Sequence, residues 1–399
     1  MTYKFALAAI ATTAGSLIAG GIAASPAGAA AGAHGFWRAT TATNTQITSS
    51  KQPATLVRDP KGREHVVTTV ADSTTTSHIV YITHRPGGDW IHNRVGAERP
   101  DGIIDVEEHL NPAGSRVFAL FYQCNGIFLS AASTRRADLP HPQLVARGSG
   151  DCDDDSRYRN YAVQYAVPLG RTRIGVLVRS ITQASDTTAL WTGRYGSTFH
   201  PGPPIPSGHD FYPIKVARDV ATGRVYVVGV GNSYNSDGSV KSRNVYVTAR
   251  EPGEKTWTPL RKIAGLGDPQ HGFYVEALTA YRNHVYVGLE RPVVLLDNTG
   301  HRLYYVAGRG STDWRAPRPV GHTNSLDTQL QLTVNPDTRR LHAAWSRWDK
   351  TAVSGVRHSS LGSSGWAPPR WFSHRYGTFV TDIAFKHNGH VVLGYMDEN

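Results

Sequence analysis

Cysteine, methionine and long apolar runs are all scarce in this sequence. Two cysteines leave room for one disulfide, and two methionines among 399 residues make a methionine-filled helical core an unsuitable reading. No long stretch repeats with the 3.6-residue period of a helix, which excludes a helical bundle. After about Ala23 no apolar run is long enough to span a bilayer. Acidic residues are also in deficit, 31 Asp plus Glu against 42 Lys plus Arg, so the field around the protein favours anionic partners. The basic residues are dispersed, with no run interleaved with aromatics and no recognition motif, which argues against nucleic acid. What is abundant is glycine, proline, tyrosine and tryptophan (40, 23, 18 and 9), the composition of many short strands joined by tight turns.

The N-terminus carries a lone Lys4, an apolar run from Phe5 to about Ala23, and the small-residue stretch SPAGAAAGA with an A-x-A site near Ala29. This is the pattern of a secretory signal peptide over residues 1–30. A membrane anchor is the competing reading, but Thr12, Thr13, Gly15 and Ser16 interrupt the run. Residues 31–399 are then one mature domain, secreted and extracellular, without a membrane span and expected to be monomeric. Cys124 and Cys152 would meet oxidising conditions there and are expected to pair.

Seven hairpin turns recur at roughly 52 to 60 residues: Asp59–Gly62, Asn111–Gly114, Pro168–Gly170, Asp219–Gly223, Tyr281–Asn283, Asn335–Asp337 and His387–Gly389. Each is followed by a short strand such as RVFALFY, RVYVVGV or HVVLGY. Third strands follow in six repeats, and each leads to an opener of a fourth: Trp90, Leu139, Phe199, Trp257, Trp314 and Trp366, with Trp37 as the seventh. The pattern predicts an all-β, seven-bladed β-propeller of four-stranded blades, the C-terminal repeat and the segment around Trp37 sharing the last blade. Six blades with a decorated end, or an open stack or sandwich, are the competing arrangements.

Hairpin alternation puts the inter-blade links on one face with the loops between second and third strands, where ligand sites are expected. That face collects His209, Asp210, His271, His322, Asp327, His374 and Arg375 from the links, and Arg179, Arg291 and Arg347 from the loops. A lone loop histidine is ordinarily a solvated one, but recurrence at equivalent repeat positions points to a basic, concave mouth suited to a polar anionic ligand. The histidines come from different blades without close ligand spacing, so no metal is assigned. Asp151, Asp153, Asp154 and Asp155 could supply calcium oxygens, yet they lack an EF-hand pattern and read as a solvated acidic loop; no other cofactor is expected.

The segments NVYVTAREPGEKTW (from Asn244) and LYYVAGRGSTDW (from Leu303) resemble the neuraminidase-type repeat of strand, Asp/Gly turn and Trp. NYAVQYAVPLGRTRIGVLVRS (from Asn160) and the stretch Gly223 to Trp257 resemble the secreted seven-bladed propellers with degenerate neuraminidase-type repeats, the group that includes uronate-cleaving polysaccharide lyases. The resemblance implies β-elimination at a uronic acid in an acidic polysaccharide. It assigns carboxylate neutralisation to Arg179 and proton transfer to Tyr161, His209 or His271. Tyr212, Tyr274, Arg291, His322, Asp327, Arg347, His374 and Arg375 would line subsites. A non-catalytic glycan-binding or extracellular interaction propeller is the alternative. Sialidase-like hydrolysis is third and needs a carboxylate pair, for which Asp105, Asp210 and Asp327 are available.

Overall fold

The computed structural model describes residues 3–10, 34–39, 54–71, 77–85, 88–99, 105–123, 126–147, 165–181, 186–237, 239–265, 272–294, 299–347, 355–373, 378–385 and 389–398. Apart from one 3-10 turn, their regular structure is all strand, and every pairing within the sheets is antiparallel. Among the described residues no helix is long and apolar enough to cross a membrane.

The sheets form a β-propeller. Blade 1 is built from Ala54–Arg58, Glu64–Ala71, Ser77–His84 and Trp90–Arg99, and blade 2 from Asp105–Leu110, Arg116–Gln123, Gly126–Ser133 and Gln143–Arg147. Blade 3 has three strands, Ala166–Pro168, Arg173–Ile181 and Asp186–Arg194. Blade 4 comprises Tyr212–Arg218, Val225–Tyr234, Val240–Arg250 and Arg261–Gly265. Blade 5 runs from Tyr274–Tyr281 through His284–Val294 and Thr299–Arg309, and blade 6 from Asp327–Val334 through Leu341–Arg347 and Gly355–Gly362. In these last two blades the outer strand is split into two-residue pieces.

The turns predict seven like blades of four strands; the structure corrects this to six blades of consecutive chain, not all of them four-stranded. Blade 3 replaces a fourth strand with isolated bridges, Thr192 to His200 and Ala189 to Pro204, because proline-rich HPGPPIP cannot sustain a ladder. The rest of the ring is a composite sheet in the order His34–Ala39, Tyr3–Ile10, Val391–Glu398, Thr378–Phe385. Its outermost strand contains Trp37, and its Tyr3–Ile10 strand falls inside the expected signal peptide. The innermost strands touch in succession, and Thr378–Phe385 touches both Asp327–Val334 and Ala54–Arg58.

The core lies between blades. In Val225–Tyr234, Tyr226 and Val228 face blade 5 while Val225 and Val227 face blade 3. In blade 2, Phe118, Leu120 and Tyr122 pack towards blade 3, and Val117, Ala119 and Phe121 towards blade 1. A strand buried on both faces has no solvent side, so both parities are apolar. The openers Phe199 and Trp314 cover third-strand glycines: a Cβ on Gly193 or Gly308 would lie 2.6 Å from the ring.

On the hairpin face, the first turn residue also ties its blade to the next. Asp219, fully buried, accepts from Ala221 N (3.0 Å) and Thr222 Oγ1 (2.9 Å) in its own turn. It also accepts from Arg282 N (2.9 Å) and Asn283 N (2.5 Å) in the next blade. Burial opposes its ionisation, but these donors outweigh it and hold the carboxyl below its ordinary value. Asn111 and Asn335 meet carbonyls instead, donating from Nδ2 to Arg171 O (3.0 Å) and Gly389 O (3.1 Å). Asp and Asn are therefore not interchangeable at these turns. Asp219→Asn leaves one buried N–H facing a donor and is expected to cost about 2 kcal/mol, read as a lower urea midpoint with unchanged slope. A wild-type midpoint would contradict the clamp.

Candidate functional site

Two polar features sit on or near the ring axis, and sequence reasoning reached only the first. On the face carrying the inter-blade links, a cleft of about 480 Å³ lies between blades 3 and 4, lined by Arg179, Thr188, Ser207, Asp210, Phe211 and Tyr212 among others. Arg179 ends the second strand of blade 3, paired in register with Thr188. Tyr212 opens the innermost strand of blade 4, opposite Val230. The Arg179 guanidinium carbon stands 5.0 Å from the Tyr212 ring centroid, a cation–π contact that orients the guanidinium along the cleft wall.

The segment leading into Tyr212 is held by blade 4 itself. A Cβ on buried Gly229 would lie 2.0 Å from Tyr212 O, and one on Gly231 would lie 2.8 Å from His209 O. The glycines of RVYVVGVGNSY thus admit the inter-blade link against the sheet. Gly229→Ala must push Tyr212 outward. It is expected to lower stability by about 1–3 kcal/mol and to abolish ring-current shifts between Tyr212 and Arg179; an unshifted NMR spectrum would contradict this positioning.

His209 and Asp210 both adopt left-handed backbone angles, φ 63° and 47°, which only local constraint sustains in non-glycine residues. The turn lays the His209 ring flat on Tyr246, centroids 4.9 Å apart and 10° from parallel. His209 is therefore on the rim and does not line the cleft, whereas Asp210 does, and its carboxylate accepts a hydrogen bond from the Tyr234 hydroxyl. The other expected residues stand on blades 5 and 6. Tyr274 is 47% exposed, Arg291 is half-buried opposite Arg302, and His322 is exposed with φ 63°.

Asp327 is fully buried, opposite Arg347 in register, and accepts from Asn324 N at 2.7 Å. Burial raises its carboxyl, with Asn324, Arg347 and Arg357 pulling the other way. It is a buried group engaged by its own loop. Tyr161, His271, His374, Arg375, Cys124, Cys152 and the acidic residues Asp151 and Asp153 to Asp155 lie outside the described residues, as does the side chain of Asp105. Among the described residues no group of three His, Cys, Asp or Glu side chains is arranged to hold a metal ion.

The second feature is a string of charged side chains, Glu107, Lys215, Glu276 and Asp382 on innermost strands and Glu290 on the second strand of blade 5. Glu107 accepts from Tyr122 OH (3.0 Å), from Ala166 N of the next blade (2.9 Å), and lies 2.6 Å from His109 Nε2. Lys215 Nζ stands 4.2 Å over the Tyr165 ring. Glu290 accepts from Thr328 Oγ1 and Gln329 N of the next blade, each at 2.9 Å, with His301 Nδ1 at 2.5 Å.

Their fields are mutual. Burial disfavours the Lys215 and His109 cations, but Tyr165, Glu276 and Glu107 outweigh it at Lys215, and Glu107 and Asp382 outweigh it at His109; both are raised. Burial and Glu290 push Glu276 up to about 7, and burial alone carries Asp382 to about 7. The available signal was charge inside strands that are otherwise apolar (DVEEHL, YPIKVAR, YVEALTAY, TFVTDIAF), which reads as a pattern defect until the strands are seen to converge.

No family model matches the sequence, and no curated protein is similar to it in sequence. Solved structures are similar. An ulvan lyase of the polysaccharide lyase family PL25, bound to -[GlcA(1-4)Rha3S]-, superposes with a TM-score of 0.53 at 9% identity, covering 84% of this chain and 87% of its own. Hydrazine synthase of Kuenenia stuttgartiensis superposes with a TM-score of 0.51 at 10% identity, covering 88% and 94%. A lyase and a hydrazine synthase on one scaffold leave the chemistry to the side chains; what the likeness shows is the fold, and the chain is an all-β propeller.

Proposed function

We propose that the protein is a secreted, carbohydrate-active propeller that acts on acidic polysaccharide at the cleft between blades 3 and 4 by β-elimination at a uronic acid. The observation that carries this reading is the Arg179 guanidinium set against the Tyr212 ring in that cleft. A guanidinium can pair bidentately with a uronate carboxylate, which lowers the barrier to removing the proton at C5. Loss of that proton forms the C4–C5 double bond as the C4–O bond breaks, and the departing oxygen takes up a proton. Tyr212 is the group in the cleft suited to proton transfer, with His209 on the rim and Tyr161 and His271 as further candidates. The formal net charge of +11 draws an anionic polymer to the surface.

In this reading residues 1–30 are the signal peptide, Cys124 and Cys152 pair, and Arg291, His322, Arg347, His374 and Arg375 form outer subsites. Glycan binding without turnover is the second reading, favoured by the exposed rings of Tyr234 and Tyr274 around the mouth. Incubating the secreted protein with a panel of uronate polysaccharides separates the two. A rise in the absorbance of unsaturated uronate supports the lyase. Retention on the polymer without a rise supports binding alone, and neither result would remove both.

A further inference from the structure

On the opposite face, where the hairpins lie, a groove of about 630 Å³ runs across blades 1, 2 and 3. We propose that it is a second anion-binding site, which holds an acidic glycan chain away from the mouth; the choice of ligand rests on the reading above. Lys61, Arg116, Arg135 and Arg171 line it, contributed by loops of three successive blades. Among the described residues none of the four is in an ion pair with a carboxylate. The one carboxylate in the lining, Asp59, is 4% exposed and already accepts from Lys61 N (2.9 Å) and Arg63 N (2.8 Å) in its own turn. It does not neutralise the groove.

The cradle is fixed before any ligand arrives. Gly114 has φ +60°, and a Cβ there would lie 2.2 Å from Pro60 Cδ, so the first two hairpins pack in direct contact. Asn111 Nδ2 donates to Arg171 O (3.0 Å), tying the third hairpin to the second, and Arg63 Nη1 donates to Thr134 O (2.8 Å). Cations spread over three rigid hairpins suit an extended chain with an anionic group on successive sugars better than one small anion. Arginine forks match carboxylate or sulfate oxygens. A polymer held on one face raises the local concentration of chain at the other.

The test measures retention on immobilised polygalacturonate in an Arg179→Ala background, so that the mouth cleft is disabled first. Arg116→Ala with Arg171→Ala is expected to weaken the remaining retention roughly tenfold and to flatten its salt dependence, with Arg171→Lys restoring part of it. Arg171 is exposed and Arg116 half-buried, and an unchanged unfolding midpoint certifies the fold. Unchanged retention in these variants overturns the proposal. So does complete loss of retention from Arg179→Ala alone, which leaves the mouth reading standing. Displacement of the polymer by inorganic phosphate at matched charge identifies a small-anion site and also overturns it. Failure of the wild-type protein to be retained on any acidic glycan overturns this proposal, whereas the mouth reading falls only if no unsaturated uronate is released either.

Discussion

Replacing Arg179 with alanine is expected to lower kcat/KM on a uronate polysaccharide by roughly 100- to 1,000-fold, with most of the loss in kcat. Two parallel charge-assisted hydrogen bonds to a carboxylate are worth about 3–4 kcal/mol together, and they strengthen as charge builds on the carboxylate while C5 loses its proton. A group that only gripped the ground state would raise KM and spare kcat. Arg179→Lys restores the charge but not the planar fork or the stacking on Tyr212, so it should recover only a small part of the rate. Steady-state kinetics on the three proteins decide the matter. Equal kcat in wild type and Arg179→Ala would mean that Arg179 plays no part in the chemistry.

The second large effect is a loss of stability in acid that originates in blade 6. His342 and His358 are both buried there, ring centroids 5.1 Å apart and Nδ1 of the first 2.9 Å from Nε2 of the second. Burial, with Arg340 nearby, drives His342 down to about 4. Burial, His342 and Arg370 drive His358 to about 3. Both are neutral in the folded protein but titrate near 6.5 once unfolded, so the folded state binds fewer protons between these values. Their contribution is complete above about pH 6.5 and is lost as the pH falls towards 3. For a single imidazole held neutral in this way the loss by pH 4 is about 3 kcal/mol.

Asp382 and Glu276 work in the opposite direction. Their folded values near 7 cost stability above pH 7, and that cost is relieved as the pH falls to their ordinary range. The wild-type profile is therefore flattened, and the pair is isolated by comparison with His358→Leu. Denaturant midpoints measured from pH 7 to 4 should fall markedly less in His358→Leu than in wild type. Parallel profiles would show that the two imidazoles are not held neutral.

What could be read in advance followed from local chemistry. Turn residues at fixed spacing located the hairpins, because Asp, Asn, Pro and Gly each have a backbone reason to stand there. Arg179 is put on the site face by hairpin alternation, whereas Tyr212 enters only as a subsite residue implied by the resemblance. The blade count was harder: Tyr3–Ile10 carries no turn signal and reads as part of a leader, and the HPGPPIP segment of blade 3 gives bridges where a strand was expected. His209 failed as a cleft residue because two successive left-handed residues turn its ring onto Tyr246, and no periodicity encodes that. The charges of Glu107, Lys215, Glu276 and Asp382 were in view but uninterpretable singly, since several of the groups that act on them stand on other blades: Tyr165, Glu107 and Glu276 on Lys215, and Asp382 on His109.

The measurement that bears most directly on the central claim is a crystal structure of Tyr212→Phe, slowed in turnover, soaked with tetragalacturonate. The account predicts a uronate carboxylate within hydrogen-bond distance of the Arg179 guanidinium, with C5 turned towards residue 212. Sugar bound elsewhere with the cleft between blades 3 and 4 vacant would contradict it.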